Sequence, residues 1–397
     1  MASLTKSHAS GDRPPRRVLI APDKFKGTLS SDQVGRALVK GFRQAWPKAK
    51  FTRVVIADGG EGFAQALRRA GGGSVRHMKV QNALGRPCRA SYVVFADGQT
   101  AALDLATASG LAQIPLKQRD VTRASTFGSG LVLQRMFRAG IKHVLVGLGG
   151  SATNDGGVGL AAALGYRFLD RAGRPIPLTG AGLESLHAIE APRRRQWPRI
   201  TAAVDVDNPL FGQTGAAYQF APQKGASPAE VRQLDAGLRQ LARVAKKSPG
   251  KNHALRPGAG AAGGCGFGLL AFLDATLEPG FEILRRKLGL DRLVRECDLV
   301  VTGEGCLDVT SLAGKAPYRL ARLARANHRP VWGVFGRIKS SRARAIFERM
   351  VALPPGGMTR GAAHHGRKVQ GAAAALAKSE KRVERADLSA LSARQAS

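Results

Sequence analysis

The pattern of apolar and polar positions predicts short buried strands, several of which are followed by an amphipathic helix. Val18–Ala21 is an apolar run of strand length, and apolar residues then recur at helical spacing from Val34 to Phe42. Ser30 or Ser31 can cap this helix. Further strands are predicted at 51–56, 143–146, 200–206, 297–301 and 330–335, and helices around 128–139 and 230–245. Strands that alternate with helices near both ends of the chain are typical of an α/β fold.

The middle of the chain opens with a different pattern. In residues 77–107, apolar and polar positions alternate around a turn signal at "DGQT", which indicates paired antiparallel strands. We therefore expect two domains. One is a discontinuous α/β domain built from residues 18–75 and 282–361, and the other is an α/β domain inserted at residues 76–281.

Length and composition agree with a two-domain globular protein. The chain has 397 residues, of which 44% are apolar, and it contains no apolar run of membrane-spanning length. Residues 1–17 lack the apolar stretch of a secretory signal, so we expect a disordered tail there. Residues 362–397 are rich in Ala, Lys, Arg and Glu, and we expect a basic C-terminal tail that is either helical or disordered. The four scattered cysteines show no metal-site spacing and suit a reducing, cytoplasmic environment.

The charge is strongly basic. The chain carries 62 Lys and Arg against 28 Asp and Glu, a formal net charge of +34, which favours association with phosphates of any kind. The basic residues are dispersed, however, and the aromatic residues do not interleave with them as a base-stacking surface requires. We therefore expect no specific nucleic-acid partner, although binding of a polyanion without catalysis stays open as an alternative. The sequence is compatible with a homo-oligomer.

Acidic residues follow several of the predicted strands. The loops "APDKFKG", "ADGGEG", "VDVDNP" and "TGEG" contribute Asp23, Asp58, Glu61, Asp205, Asp207 and Glu304. Ligands of open α/β sheets bind beyond the carboxyl ends of the strands, and Mg²⁺ prefers carboxylate and phosphate oxygens. Together with Lys26, Lys224 and Lys315, these acids fit a nucleotide–Mg²⁺ site. The alternative is that each acid caps the helix that follows it.

A glycine-rich loop, "LGGSATNDGGVG", follows the strand predicted at 143–146. Its bare backbone fits a cradle for phosphate or substrate, formed by Gly149, Gly150, Ser151, Thr153 and Asn154. One alternative is a helix cap at Ser151 or Asn154. A second alternative is a dinucleotide fingerprint that starts at Gly147, with Asp170 downstream, which would make the protein an NAD(P)-dependent oxidoreductase. No Walker A motif occurs in the sequence.

Taken together, these loops resemble the glycerate kinase family. The matching stretches occur in the family's order and are "APDKFKGTLS", "ADGGEG", "ASTFGSG", "GLGGSATNDGG", "DVDNPL", "PQKGA", "GAGAAGG", "TGEGCLD" and "GKAP". The resemblance implies a two-domain α/β protein, with a Rossmann- or flavodoxin-like domain from both termini, an inserted second domain and an active site in the cleft between them. It also implies that ATP phosphorylates D-glycerate, giving ADP and phosphoglycerate, most often the 2-phosphate in this branch of the family, with the 3-phosphate as the alternative.

The proposed roles follow from this chemistry, because phosphoryl transfer needs positioning and charge neutralisation. Asp205 is the candidate general base for the glycerate hydroxyl, since it ends a predicted buried strand. The alternative for Asp205 is a structural Asx turn with Asn208 and Pro209. Lys26 and Asp23 complete the catalytic candidates. Candidate ligands of Mg²⁺ are Asp58, Glu61 and Glu304. Candidates for binding phosphate or substrate are Gly149, Gly150, Ser151, Thr153, Asn154, Asp155, Lys224 and Lys315.

The sequence departs from the family pattern in one of these motifs. Cys306 in "GEGCLD" stands where the family usually has Arg, and Thr310 stands where it often has Gln. Arg binds a carboxylate or phosphate through two parallel hydrogen bonds, which Cys cannot do. If Cys306 faces the substrate, either a neighbouring Arg takes over this contact or the specificity has changed.

Overall fold

The structure is a computed structural model that describes residues 14–25, 28–56, 59–60, 62–193, 196–247, 253–312, 314–340, 345–354 and 362–395. The chain divides into two compact units. Unit 1 combines Met1–Ile56 with Gly289–Ser397, and unit 2 is Ala57–Leu288. The predicted domain boundaries, at 75/76 and 281/282, stay a prediction. Of the predicted disordered tail, residues 1–13 lie outside the described residues, and Arg17 already belongs to the first strand.

The strands are β1 (Arg17–Ile20), β2 (Lys50–Arg53), β3 (Ser74–Gln81), β4 (Pro87–Val94), β5 (Thr100–Asp104), β6 (His143–Gly147), β7 (Arg167–Leu169), β8 (Ala188–Glu190), β9 (Arg199–Val204), β10 (Thr276–Pro279), β11 (Leu299–Thr302), β12 (Cys306–Leu307), β13 (Val331–Phe335), β14 (Arg337–Ile338) and β15 (Arg349–Ala352). The α-helices are α1 (Ser31–Ala45), α2 (Phe63–Gly71), α3 (Ala106–Ser109), α4 (Phe127–Arg138), α5 (Val158–Ala163), α6 (Ala216–Phe220), α7 (Pro228–Lys247), α8 (Ala261–Leu273), α9 (Gly280–Leu288), α10 (Leu290–Glu296), α11 (Val309–Leu312), α12 (Ala316–Ala326) and α13 (Ala362–Gln395).

Unit 1 is built on a five-stranded sheet in the order β15-β13-β11-β1-β2, with every pair parallel. Numbered within the unit, this is the 2-1-3-4-5 order of flavodoxin-like folds. The strand order reverses between β1 and β11, where Val18 is the partner of Leu299. Ligands of such sheets bind beyond the carboxyl ends of the strands at this point.

The helices of unit 1 follow from local sequence signals. Ser30 caps α1 through a capping box with Gln33, as its position before the apolar helical repeat predicts. The apolar face of α1 buries Phe42 in a core that also contains Trp332 and, from α13, Ala373. The predicted basic C-terminal tail is therefore helical over 362–395, and its first turns belong to the core of unit 1.

Unit 2 contains a six-stranded mixed sheet in the order β10-β9-β6-β5-β4-β3. The strands β10, β9, β6 and β5 run parallel to one another. Strand β4 pairs antiparallel with β5, and β3 pairs antiparallel with β4, as the alternating pattern of residues 77–107 predicts. The strands β7 and β8 form a separate antiparallel pair. The core is formed mainly by aliphatic residues of these strands and of α4, α5, α7 and α8.

The α/β class is confirmed, and the predicted elements lie close to the observed ones. The strand predicted at 51–56 ends at Arg53, because β1 pairs with it only as far as Ile20. The strand predicted at 200–206 ends at Val204, where the polar loop begins and where β10 also ends its pairing. Among the described residues, no helix is long and apolar enough to cross a membrane.

Candidate active site

The glycine-rich segment of unit 2, Leu148–Gly157, connects β6 to α5 and is called the glycine loop below. Gly149 is partly exposed and Gly150 is exposed, whereas the loop from Ser151 onward is buried. Gly150 has a left-handed backbone with φ 78°, and a side chain on Gly149 would overlap the Cα of Gly60. Glycine is therefore required at both positions, and the exposed peptides of this turn are accessible to a ligand.

Asp155 anchors the glycine loop to two helices. Its Oδ2 accepts hydrogen bonds from Thr126 N (2.8 Å), Thr126 Oγ1 (2.7 Å) and Gly159 N (3.2 Å), and its Oδ1 accepts one from Gly157 N (3.2 Å). Burial raises the pKa of Asp155, and these hydrogen bonds oppose that rise. The carboxylate thus joins the loop to the N-termini of α4 and α5. Its predicted contact with phosphate or substrate stays a prediction.

Lys224 supports the same loop from within the protein. It lies at the end of a short 3₁₀ turn and is only 3% exposed. Its Nζ donates hydrogen bonds to Thr153 O (2.7 Å) and Ser151 Oγ (3.0 Å). Burial lowers the pKa of Lys224 to about 8, although the charge of Asp155 opposes the decrease. Lys224 therefore contacts the loop itself, and its predicted contact with substrate stays a prediction.

Thr153 and Asn154 carry buried polar atoms that are not satisfied. Both residues are fully buried, and Thr153 Oγ1, Asn154 Oδ1 and Asn154 Nδ2 have no hydrogen-bond partner among the described residues. Natural proteins satisfy nearly all such atoms, so exceptions mark places where a ligand, ion or water is bound. These three atoms mark the interior of the glycine loop as polar.

A second glycine-rich segment packs against the glycine loop. In α8, residues Ala262, Gly263 and Gly264 have left-handed backbone angles, and Gly263 O accepts a hydrogen bond from Gly156 N (3.0 Å). A side chain on Gly263 would overlap the carbonyl oxygen of Thr153. The strained backbone at Ala262, with φ 54°, lies at the same place. The motif "GAGAAGG" thus shapes the back of the glycine loop.

The carboxyl ends of β9, β6 and β5 bring further predicted residues together within unit 2. Asp205 follows β9 and is exposed, and its Oδ1 accepts a hydrogen bond from Gly280 N (3.3 Å). Gly59 lies beside it, because a methyl group on Gly59 would be 2.8 Å from Asp205 Oδ2. Gly59 O also accepts a hydrogen bond from Gly149 N (3.3 Å). The "ADGGEG" segment therefore contacts both the candidate base and the glycine loop.

Asp104 is a residue of this site that the sequence analysis missed. It ends β5, and its carboxylate accepts hydrogen bonds from Gly62 N and Ala64 N, both at 2.9 Å. These bonds fix the start of α2 and the "ADGGEG" segment beside the sheet. The available signal was the acid at the end of the strand "TAALD", which is the same signal that selected Asp205.

Two alternatives for unit 2, the helix cap at Ser151 or Asn154 and the dinucleotide fingerprint, do not agree with this geometry. α5 begins at Val158 with Gly157 as its cap, so neither Ser151 nor Asn154 caps it. A dinucleotide fingerprint requires the helix to start within the motif, whereas α5 starts six residues after Ala152. Asp205 accepts a hydrogen bond from Gly280 N at the start of α9, and the alternative of an Asx turn with Asn208 and Pro209 stays open.

In unit 1, Asp23 and Glu304 follow the two strands at which the strand order reverses, β1 and β11. The hydrogen bonds from Asp23 N to Gly303 O (2.8 Å) and from Thr302 Oγ1 to Ala21 O (2.7 Å) fix the two loops side by side. Asp23 is 6% exposed, and its Oδ1 accepts hydrogen bonds from Lys24 N (2.7 Å) and Ser31 Oγ (3.4 Å).

Glu304 forms an ion pair with Lys315. Lys315 Nζ lies 3.1 Å from Glu304 Oε2 and 3.5 Å from Asp308 Oδ1. Burial raises the pKa of Glu304, which Lys315 opposes. Burial alone would lower the pKa of Lys315, but the charges of Glu304 and Asp308 raise it. Asp23 does not cap the helix that follows it, because Ser30 caps α1. Glu304 does not cap α11, because Asp308 accepts the hydrogen bond from Ser311 N in that helix.

Of the acids described in unit 1, Glu304 has a carboxylate oxygen that fits a magnesium ion. Glu304 Oε1 is buried without a hydrogen-bond partner among the described residues, so one carboxylate oxygen is available as a ligand. No group of three His, Cys, Asp or Glu that could hold a metal occurs in the described part of the chain. Mg²⁺ is usually held by one or two carboxylates together with substrate phosphates, so a single carboxylate is sufficient here. The predicted residues Asp58, Glu61 and Lys26 lie outside the described residues.

Cys306 has an arginine as its neighbour. The strands β12 and β14 pair in parallel, with Cys306 opposite Arg337. Cys306 is partly exposed and Arg337 is exposed. Arg337 begins the basic cluster 337–349, and no site role was predicted for it from the sequence. The side chain of Thr310, the other departure, is not among those described.

A family model, curated relatives and a solved structure that resemble this chain are all named as glycerate kinases. The model of the glycerate kinase family matches residues 18–388. The chain is 41% identical to glycerate 2-kinase of Escherichia coli K12 over 324 residues, which is 81% of this chain and 85% of the relative. It is 40% identical to glycerate kinase of Halalkalibacterium halodurans over 334 residues, 83% of this chain and 88% of the relative. A crystal structure assigned to glycerate kinase 2 from Salmonella typhimurium LT2 aligns with TM-score 0.82 and 35% identity, covering 94% of this chain and 100% of that one.

Proposed function

Because the chain belongs to the glycerate kinase family, it is a kinase that phosphorylates glycerate, and we propose that it transfers the γ-phosphate of ATP to the 2-hydroxyl of D-glycerate. The observation that supports the site assignment is the contact of Gly59 with two groups. Its carbonyl oxygen bonds to Gly149 N, and its Cα lies beside the carboxylate of Asp205. The proposed phosphate cradle and the proposed base thus both contact Gly59 in unit 2.

In this proposal, the turn at Gly149–Gly150 binds a phosphate or the substrate at its exposed Gly150 end, because Gly149 N already donates a hydrogen bond to Gly59 O. The buried contacts of Asp155 and Lys224 keep this turn in place, so little reorganisation is needed when the ligand binds. The unsatisfied side chains of Thr153 and Asn154 supply one acceptor-donor hydroxyl, one acceptor oxygen and one donor nitrogen to a bound hydroxyl or carboxylate.

Asp205 is proposed as the general base. Its carboxylate is exposed, which makes it accessible to a hydroxyl group of the substrate, and its Oδ1 accepts a hydrogen bond from Gly280 N. It would accept the proton of that hydroxyl as the oxygen attacks the γ-phosphorus, while ADP departs with the negative charge of the broken bond.

In unit 1, Glu304 is proposed as a ligand of Mg²⁺. Asp58 and Glu61, the other predicted ligands, belong to unit 2 and stay predictions. A magnesium ion would neutralise the phosphate oxygens of ATP. Lys315 holds one oxygen of Glu304 and leaves the other available. Asp23 stays a proposed catalytic residue. It lies at the same edge of the sheet as Glu304, since β1 and β11 are neighbours.

The choice of the 2-hydroxyl rests on a name, because the E. coli relative is a glycerate 2-kinase. The test is direct. The purified protein is incubated with D-glycerate, ATP and Mg²⁺, the release of ADP is followed, and ³¹P and ¹³C NMR locate the phosphate in the product. We expect 2-phosphoglycerate. Phosphate on the 3-hydroxyl would overturn the regiochemistry, and absence of ADP release that depends on glycerate would overturn the proposed reaction.

A further inference from the structure

Arg337 is fixed at the carboxyl edge of the unit 1 sheet. It follows β13 and begins β14. Arg337 N donates a hydrogen bond to Gly305 O (3.0 Å), and Gly336 N donates one to Glu304 O (3.0 Å). The backbone of Arg337 is therefore bonded directly to the segment that carries Glu304.

The guanidinium group of Arg337 is available for a ligand. The residue is exposed, and its guanidinium has no hydrogen-bond or ion-pair partner among the described residues. Several other arginines of this unit do have such partners, for example Arg36 with Asp32 and Arg325 with Glu348. Arg337 thus places a positive group on the segment that is bonded to the segment of the buried Glu304, with no ion pair to the described part of the chain.

The pairing of β12 with β14 determines what surrounds Arg337. Directly opposed residues of paired strands present their side chains on the same face of the sheet. Cys306, the partner of Arg337, therefore shares this face and contributes no charge there. Arg337 is the cation on this face of the β12–β14 pair, at the end of the sheet where ligands of flavodoxin-like folds bind.

We propose that Arg337 binds an oxyanion of one of the two substrates, and so does the work that Cys306 cannot do. The planar guanidinium matches the two oxygens of a carboxylate or a phosphate. The ligand oxygens belong either to the carboxylate of glycerate or to a phosphate of ATP. This assignment rests on the proposed function, since both ligands are the substrates proposed above.

The test measures the binding of each ligand separately. Arg337→Ala is compared with Arg337→Lys and with Arg322→Ala, a matched control because Arg322 is also an exposed arginine of unit 1, on α12. Dissociation constants for D-glycerate and for Mg·ATP are obtained by titration calorimetry, and steady-state KM values are measured alongside. Thermal unfolding confirms that all variants are folded.

We expect Arg337→Ala to weaken one ligand by about 10- to 100-fold and the other by less than about threefold. Weakened glycerate identifies the carboxylate as the partner, and weakened ATP identifies the phosphate. Arg337→Lys should fall in between, because it keeps the charge but loses the planar fork. Arg322→Ala should behave as the wild type. Equal constants for Arg337→Ala and Arg322→Ala would overturn the proposal.

A rescue experiment separates a local role from a general charge effect. In the double variant Cys306→Arg with Arg337→Ala, the guanidinium is returned to the same face from the opposite strand, and we expect recovery to within about tenfold of the wild type. No recovery would contradict the idea that the two positions share one role. If wild-type protein binds both ligands but forms no phosphoglycerate, the proposed reaction fails while the role of Arg337 is still decided by the binding constants. If it binds neither, both fail.

Discussion

Lys224 donates a hydrogen bond from its buried Nζ to the carbonyl oxygen of Thr153, over 2.7 Å. A charged group inside a protein is costly unless it is hydrogen-bonded. Here the hydrogen bonds of the buried ammonium group hold the backbone of the glycine loop in place. The same ammonium group also bonds to Ser151, so one side chain positions two residues of the loop.

The first prediction concerns this support. Lys224→Met preserves much of the side-chain volume but removes both hydrogen bonds, so the loop loses its fixed shape. We expect kcat/KM for glycerate phosphorylation to fall by at least about tenfold, while stability changes by about 1–3 kcal/mol. Lys117→Met, which changes an exposed lysine of unit 2, is the control. Activity of Lys224→Met equal to that of the control would show that the loop does not depend on this contact.

The second prediction concerns pH. Burial lowers the pKa of Lys224 from 10.5 to about 8. Below about pH 8 both the folded and the unfolded chain hold the proton. Between about pH 8 and 10.5 only the unfolded chain holds it, so this group makes the free energy of unfolding rise with pH.

The pH effect is measured against a variant that lacks the group. The free energy of urea unfolding of the wild type, minus that of Lys224→Met, should rise by up to about 1.4 kcal/mol per pH unit within this interval. Other titrating groups cancel in the difference. A difference that is constant from pH 7 to 10.5 would refute the assigned shift.

The third prediction tests the contact between the two glycine-rich segments. Gly263 and Gly173 both have positive φ angles, but a side chain at Gly263 would overlap the Thr153 carbonyl, whereas none of the neighbours of Gly173 would be reached. Gly173→Ala should therefore cost only the strain of the left-handed backbone, about 1 kcal/mol. Gly263→Ala should cost about 1–3 kcal/mol more and should also lower kcat. Equal losses of stability in urea unfolding would contradict the close packing.

The fourth prediction tests the base. Asp205→Asn keeps the shape of the side chain and removes its ability to accept a proton. We expect kcat to fall by about 10²- to 10⁴-fold, with KM for ATP little changed. Asp207→Asn is the matched control, because Asp207 is exposed in the same loop. Comparable kcat values for the two variants in the ADP-release assay would exclude Asp205 as the base.

Local signals in the sequence were sufficient for much of the fold. The capping box at Ser30, the helical repeat of α1 and the apolar runs of β6 and β9 depend on neighbouring residues only, so they could be predicted. The acids after the strands could also be selected, because strand ends are visible in the sequence. In this way Asp23, Asp205 and Glu304 were placed at the carboxyl edges of their sheets.

What could not be predicted depends on contacts between distant residues. Lys224 was expected to face a ligand, but its burial depends on a loop about 70 residues away. The pairing of Cys306 with Arg337 results from two short strands whose register no local pattern specifies. Asp104 was overlooked, because its partners, Gly62 and Ala64, are about 40 residues away in the sequence.

The pairing of Val18 with Leu299 has a consequence for biosynthesis. A ribosome adds about 5–20 residues per second, so β1, which has β2 on one side early, waits at least about 14 seconds before β11, its neighbour on the other side, is made. The strands of unit 2 all lie between residues 74 and 279, and that unit has its complete sheet earlier. During translation, the nascent N-terminal segment therefore carries an apolar strand with one unpaired edge, which is a target for chaperones until the last quarter of the chain emerges.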